Sequence, residues 1–163
     1  EALLPKAAVV RAMPNLAVAV GEGMTGYASG SKVKKSQAAL AGKLLALTGK
    51  AVQLKEEQLD AVTALSGSGP AFMAYVVQAM IDGATSLGLS EIDAKTLALQ
   101  TMLGTARVLQ ASDAPIADFI KAVTSAKGTT AEGLAVLEKS AVKNTMKRTL
   151  SAAARRSKEL SKI

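Results

Sequence analysis

From residue 57 to its end, this chain repeats apolar residues at helical spacing, and no strand-type run interrupts the pattern. Segments patterned in this way bury their apolar faces helix against helix. The available side chains narrow the packing further. Hydrophobic residues make up 49% of the chain but aromatics only 2%, so Ala, Leu, Val and Met must build the core. Side chains that small suit close helix–helix contact.

The helical part divides at its own signals. Leu59 to Leu65 reads as a short helix stopped by Ser66-Gly67-Ser68-Gly69. Pro70 suits a first helical turn, and the helix it opens runs to about Leu87, with Gly88 as its stop. Ser90 and Asp93 resemble a capping box with Asp in place of the usual Glu. In the helix that follows, Leu99, Met102, Leu103, Ala106 and Leu109 lie on or near one face. Pro115 opens a further short helix, and Thr129 or Thr130 the next. The last helix, about Val142 to Leu160, carries Val142, Met146, Leu150, Ala153 and Leu160 as a stripe. Gly83 and Gly104 fall inside helices, where each costs about 1 kcal/mol against Ala. Such glycines mark a close backbone approach, either to another helix of the same chain or to a second chain. Helices this apolar, without aromatic cover, fit an interlocked dimer.

Residues 1–55 have a different character, that of the end of an α/β unit. Ala7-Ala8-Val9-Val10 is a strand-type run, and Met24-Thr25-Gly26-Tyr27-Ala28 reads as another. Leu16-Ala17-Val18-Ala19-Val20 is apolar but ambiguous in structure. Ser31 begins a helical stretch with Val33, Leu40, Leu44, Leu45 and Leu47 at apolar positions, which Gly49 ends. Ala51-Val52-Gln53-Leu54 then reads as a strand.

Several function classes are excluded by what is missing. The chain has no Cys and no His, which removes disulfides, thiol nucleophiles, Cys/His zinc sites and an imidazole base. No metal site is expected. The lack of Cys fits a reducing compartment, and a cytoplasmic location is expected. The longest apolar run, near Pro70 to Ile81, is too short to span a bilayer, and Gln78 breaks it. No segment reads as a signal peptide. The chain starts at Glu1 and not at Met, so a fragment or processed product is expected. Its net charge is +7, concentrated at the end, where Lys139, Lys143, Lys147, Arg148, Arg155, Arg156, Lys158 and Lys162 face only Glu159. A basic helix of this kind binds nucleic acid or an anionic surface, or is simply solvated. The solvated reading is preferred, because no aromatics interleave for base stacking.

The stretch Val123-Thr124-Ser125-Ala126-Lys127-Gly128-Thr129-Thr130 joins two apolar helical segments through hydroxyls, a glycine and a lysine. At a helix start, such a turn offers unpaired N–H groups and the positive end of the helix dipole to an anion. The plain alternative is a connection in which Thr129 or Thr130 caps the next helix. Gly21-Glu22-Gly23-Met24-Thr25-Gly26 has the Gly-x-Gly-x-x-Gly spacing of a dinucleotide loop but not its context. Such a loop needs a helix directly after the glycines and an acid about 20 residues on. Here Tyr27-Ala28-Ser29-Gly30 follows, and Ala46, Leu47 and Thr48 occupy the acid's place.

Several segments follow one another along the chain: Val10-Arg11-Ala12-Met13-Pro14-Asn15, Gly21-Glu22-Gly23-Met24-Thr25 and the block from Asp60 through Leu65-Ser66-Gly67-Ser68-Gly69-Pro70-Ala71. Val123-Thr124-Ser125 with Gly128-Thr129-Thr130, Gly133 to Glu138 and Arg155 to Leu160 complete them. In this order they resemble the pyrroline-5-carboxylate reductase family. The resemblance implies a mainly α fold: a C-terminal helical dimerisation domain preceded by the last β/α elements of a Rossmann-like domain. Residues 1–56 would be the remnant of the dinucleotide-binding α/β domain, and residues 57–163 the all-helical dimerisation and substrate-binding domain. The family's Gly-rich cofactor loop would lie upstream of Glu1.

The resemblance also implies the chemistry. Hydride passes from NADPH or NADH to the imine carbon of 1-pyrroline-5-carboxylate and gives L-proline, the last step of proline biosynthesis. Ser125, Gly128 and Thr129 match the turn that holds the substrate carboxylate on backbone amides. Thr130 matches a threonine placed at the ring nitrogen, a candidate proton source and the catalytic residue of the set. Met13 and Asn15 match the segment beside the nicotinamide end of the cofactor. Two departures stand out. The family's Pro-Gly inside the turn is Ala126-Lys127 here, and its Thr-Pro after Asn15 is Leu16-Ala17. Losing Pro leaves the turn less fixed, and losing Gly hinders a positive φ. A lysine instead adds attraction for a carboxylate. The implied partners are the small-molecule substrate and a second copy of the chain, as a homodimer or higher homo-oligomer, with no membrane. Two alternatives remain beside the enzyme: a helical dimerisation module without activity of its own, and a basic nucleic-acid-binding protein.

Overall fold

The computed structural model describes residues 5–161, which form two compact units. One holds the described residues up to Phe72 together with those from Lys147 onward, and the other runs from Met73 to Met146.

The first unit contains a three-stranded sheet of β1 (Val10–Pro14), β2 (Gly23–Ser29) and β3 (Gly49–Gln53), in that spatial order. β1 runs antiparallel to β2, with Val10 opposite Ser29 and Pro14 opposite Thr25. β3 runs parallel to β2, with Gly23 opposite Gly49 and Tyr27 opposite Gln53. A parallel pair needs a crossover, and helix α1 (Lys35–Leu45) supplies it. The strand expected at Ala7 begins only at Val10. β2 ends at Ser29, so Ala7 and Ala8 have no strand to pair with. The ambiguous run Leu16–Val20 is a 3-10 turn ended by Gly21 at φ 74. The rejected Gly-x-Gly-x-x-Gly therefore leads into strand β2 and not into a helix.

Small residues decide how this unit packs. Tyr27 is buried, and its hydroxyl lies where a side chain at Gly42 of α1 would stand. The face of α1 that meets the sheet is thus the small one, with Ala38 buried, and Leu40, Leu44 and Leu47 stay exposed. Of the leucines at the expected apolar positions, Leu45 is half-buried and the other three are turned outward for this reason. On β2, Gly26 gives its space to Val62. Val62 closes helix α2 (Leu59–Val62), whose Leu59 is only 1% exposed.

The expected stop at Ser66-Gly67-Ser68-Gly69 is not a stop. The chain widens into one π turn over Thr63–Gly67 and re-enters helix α3 (Gly69–Ser86). The Ser68 N–H donates to the Thr63 carbonyl at 2.8 Å, a five-residue step. The Thr63 and Ser66 hydroxyls donate to the carbonyls of Leu59 (2.9 Å) and Val62 (3.0 Å). The helical stretch from Glu56 to Ser86 is consequently long and apolar enough to cross a membrane by length and composition, with mean hydropathy 1.2. The apolar run from Pro70 to Ile81, expected to be too short to span a bilayer, is only part of that stretch.

In the second unit, α3 packs on α4 (Glu91–Gln110) through Val77, Ile81, Ala94 and Ala98, flanked by Ala84 and Met102. Gly88, at φ 99, ends α3 as expected, with the Leu89 N–H donating back to Ala84. Ser90 caps α4: its hydroxyl accepts from the Asp93 N–H and donates to the Asp93 carboxylate. Of the α4 face expected from Leu99, Met102, Leu103, Ala106 and Leu109, Met102 flanks this cluster and Leu109 is half-buried, while Leu99, Leu103 and Ala106 are exposed, because the helices meet on the alanine side, where they approach more closely. Apart from the backbone of its own helix and its chain neighbours, no atom of the described residues comes within 4 Å of a side chain built at Gly83 or Gly104. The expected close approach is therefore not to another described helix of this chain. Three helices complete the chain: α5 (Ile116–Ala122), with Pro115 just before it, α6 (Thr129–Lys139) and α7 (Val142–Leu160). Lys162 lies outside the described residues.

Gly49 tests the small-residue packing most directly. It sits at φ 141, and a methyl group there would collide with the Gly23 backbone. Gly49→Ala is expected to destabilise the fold by about 3 kcal/mol or more, a drop in melting temperature on the order of 10 °C. Circular dichroism melting checks it.

Candidate functional site

The residues singled out in the sequence fall into two groups, one in each unit. Met13 and Asn15 lie at the end of β1, where the extended backbone continues through Asn15 and sets both side chains on one face. Both are half-buried. The Asn15 side-chain oxygen accepts two backbone N–H groups, from Ala17 (3.2 Å) and Met24 (3.1 Å). One amide thus fastens the 3-10 turn to the start of β2. The nitrogen of the same amide has no hydrogen-bond partner among the described residues. The Met13 methyl lies against Gly67 of the π turn, so close that a side chain at Gly67 would displace it. Ser66-Gly67-Ser68-Gly69 is expected from the sequence both as a helix stop and as part of a family-like block, with no role at a site. The contact with Met13 makes this block part of the same surface. Its signal in the sequence was a glycine pair inside a hydroxyl-rich helical segment.

At the opposite end of β1, Arg11 pairs with Glu56. They border a groove of about 710 Å³ together with Val10, Ser29, Gly30 and Ser31. Both partners are at least half exposed, so the pair adds little stability.

The second group forms one tight turn. Gly128 N–H donates to the Ser125 carbonyl at 3.1 Å, closing Ser125-Ala126-Lys127-Gly128. Lys127 stands at φ 58, and Ala126 is not among the positive-φ residues. A positive φ at the third residue alone is the type II pattern, which ordinarily carries Gly there. The expectation that losing this glycine would hinder a positive φ is met by strain and not by a change of shape. A non-glycine residue in this region bears about 1 kcal/mol. Gly128 itself is required for space, since a methyl group there would meet the Ser125 hydroxyl and its carbonyl.

Gly128 is the N-cap of α6, and no side chain caps the helix. The reading in which Thr129 or Thr130 supplies the cap is therefore corrected: both lie inside the first turn. The helix also leaves the N–H groups of Thr129, Thr130 and Ala131 without an intrahelical carbonyl four residues back. Thr124 spends its hydroxyl on Ile120, at 2.6 Å. The turn thus presents the Ser125, Thr129 and Thr130 hydroxyls, three amides, the positive end of an 11-residue helix and the Lys127 ammonium. Such a set has the donors and positive potential that an oxyanion needs, with hydroxyls beside them. Among the described residues no group of three acidic residues gathers as a metal site. The basic end of the chain is partly compensated, with Lys143 on Glu138 and Arg156 on Glu159.

Residues 56–160 match the family described as pyrroline-5-carboxylate reductase dimerisation. The chain is 42% identical over 158 residues to the pyrroline-5-carboxylate reductase of Synechocystis, covering 97% of this chain and 59% of the relative. A pyrroline-5-carboxylate reductase structure from Coxiella burnetii superposes with a TM-score of 0.92 at 35% identity, covering 94% of this chain and 57% of that one. The Plasmodium falciparum pyrroline carboxylate reductase with NADP bound superposes at 0.87 and 33% identity, over 94% and 59%. The chain thus spans somewhat under two thirds of the length of the relatives it matches.

The double acceptance by Asn15 gives a measurable expectation. Asn15→Ala strands two amides and should lower stability by about 1–2 kcal/mol, or roughly 2–8 °C in melting temperature. Asn15→Asp keeps the acceptor and should recover most of the loss in the same melting experiment.

Proposed function

The chain belongs to the pyrroline-5-carboxylate reductase dimerisation family, and from that premise we propose that it is the C-terminal part of a reductase that converts 1-pyrroline-5-carboxylate to L-proline. The observation that carries the reading is the uncapped start of α6, with free amides, two first-turn threonines and a cation beside them. The substrate is a small ring bearing a carboxylate next to an imine. The carboxylate takes the amides of the turn, with Ser125, Gly128 and Thr129 as its walls. Thr130 lies within the same helical turn and reaches the ring nitrogen, where its hydroxyl donates a hydrogen bond and holds the proton that the nitrogen gains.

NADPH or NADH supplies the hydride when bound. Met13 and Asn15 suit the nicotinamide end of such a cofactor. Met13 offers an apolar surface against Gly67, and Asn15 has an amide nitrogen left over after its oxygen is used. The single Gly-x-Gly-x-x-Gly in these 163 residues runs into β2, so they are expected to be inactive without a cofactor-binding segment. On this reading residues 1–56 belong to the cofactor domain and residues 57–163 to the dimerisation and substrate domain.

The partner is a second copy of the chain. Tyr75, Val76 and Met80 on α3 and Leu97 and Leu103 on α4 are exposed, and Gly83 and Gly104 open onto free space. A second pair of such helices would fill that space and cover those side chains, leaving no call for a membrane.

Thr130→Ala in the full-length protein tests the assignment. Reduction of 1-pyrroline-5-carboxylate should fall by about a hundredfold in kcat/KM, with the oligomer unchanged by light scattering. Unchanged kinetics would remove Thr130 from the site.

A further inference from the structure

Lys127 holds a backbone conformation that glycine adopts without strain, and it does so at the lip of the α6 start. The side chain is exposed and takes part in none of the ion pairs among the described residues. A long cation at a strained position, outside the ion pairs among the described residues and two positions before the first amide of α6, is a local disagreement between residue and backbone. Positions of that kind point to function when the surroundings maintain them.

We infer that Lys127 sets the affinity for the anionic substrate, replacing part of the preorganisation of a rigid turn with charge. The inference rests on the reading of this turn as the carboxylate site. The carboxylate carries the same charge in substrate, transition state and product, because hydride and proton add only across the carbon–nitrogen double bond. Attraction from Lys127 is therefore uniform along the reaction and enters KM, not kcat. L-Proline keeps the carboxylate, so its inhibition constant moves with the substrate KM. An exposed cation acts through water and is weakened by salt.

The experiment is steady-state kinetics on the full-length protein with three variants. Lys127→Met keeps length and backbone strain but removes the charge. It should raise the substrate KM about three- to fivefold, raise the L-proline inhibition constant by the same factor, and leave kcat and the cofactor KM unchanged. Lys127→Arg should match the unsubstituted protein. Lys127→Gly relaxes the backbone yet loses the charge, and should raise KM as Lys127→Met does. Between about 50 and about 500 mM salt, KM should rise more steeply for the unsubstituted protein than for Lys127→Met, which keeps only the screened helix dipole. An unchanged KM in Lys127→Met, a fall in kcat, or a Lys127→Gly variant that keeps the original KM overturns the inference. If Thr130→Ala impairs an active reductase while Lys127→Met does nothing, this inference alone fails. If the unsubstituted full-length protein does not reduce 1-pyrroline-5-carboxylate, the inference falls with the functional reading beneath it.

Discussion

At the closest approaches seen among the described residues, a glycine or an alanine stands on one side of the contact. Tyr27 fits because residue 42 has no side chain, and β2 meets β3 because Gly23 and Gly49 let their backbones touch. Val62 occupies the space over Gly26, and the α3–α4 contact closes on Ala94 and Ala98. Dispersion energy falls steeply with separation, so short approach compensates for the lack of large aromatic surfaces. The same economy leaves leucines outside. A helix that turns its small face inward presents its large residues to solvent, as α1 and α4 both do. The second unit in particular buries few side chains, and its apolar faces need a further surface to cover them.

The candidate site uses the ends of elements produced by this packing. β1 stops at Pro14, and Asn15 turns the chain by taking two amides at once. The π turn at Thr63–Gly67 keeps a long helix continuous while setting Gly67 beside Met13. A π turn inserts one residue into the ladder, and such insertions shift the direction of the side chains that follow. At the other group, a β-turn closed by the Gly128 N–H delivers the chain into α6 with its first amides unused. Both groups share a physical theme: backbone polar groups or a side-chain amide left available at the point where a regular element begins or ends.

Much of the secondary structure was legible in the residues. Gly88 and Ser90 marked the α3–α4 connection because left-handed stops and serine caps depend on local geometry alone. The strands β2 and β3 and the last helix followed from short-range periodicity in the same way. The turn at Ser125–Gly128 was legible as an anion-binding candidate, and its departure from the family pattern at Ala126-Lys127 was visible too. What was not legible was which face of a helix turns inward. Leu40, Leu44, Leu99 and Leu103 fit a helical stripe as well as any core residue does, yet they are exposed. Periodicity reports that a face is apolar, not what lies opposite it. Nor did the Ser66-Gly67-Ser68-Gly69 block announce a π turn, since its glycines and serines are equally the residues of a stop.

The sequence by itself determined the class of chemistry open to this protein. Without Cys or His, it is left with hydroxyls, amides and charges, and the candidate residues at the Ser125–Thr130 turn and at Met13 and Asn15 are drawn from these and a thioether. It also determined that helices dominate and that their packing must be close. Tertiary structure decided the rest. It turned the alanine faces inward because only they allow the short approach, carried a helix through a run of glycine and serine by adding one residue to a turn, and held Lys127 at a positive φ. That last outcome depends on the closed Ser125–Gly128 bond and on the helix that follows. A local preference against the left-handed region, worth about 1 kcal/mol, gives way when neighbouring elements set the chain's path.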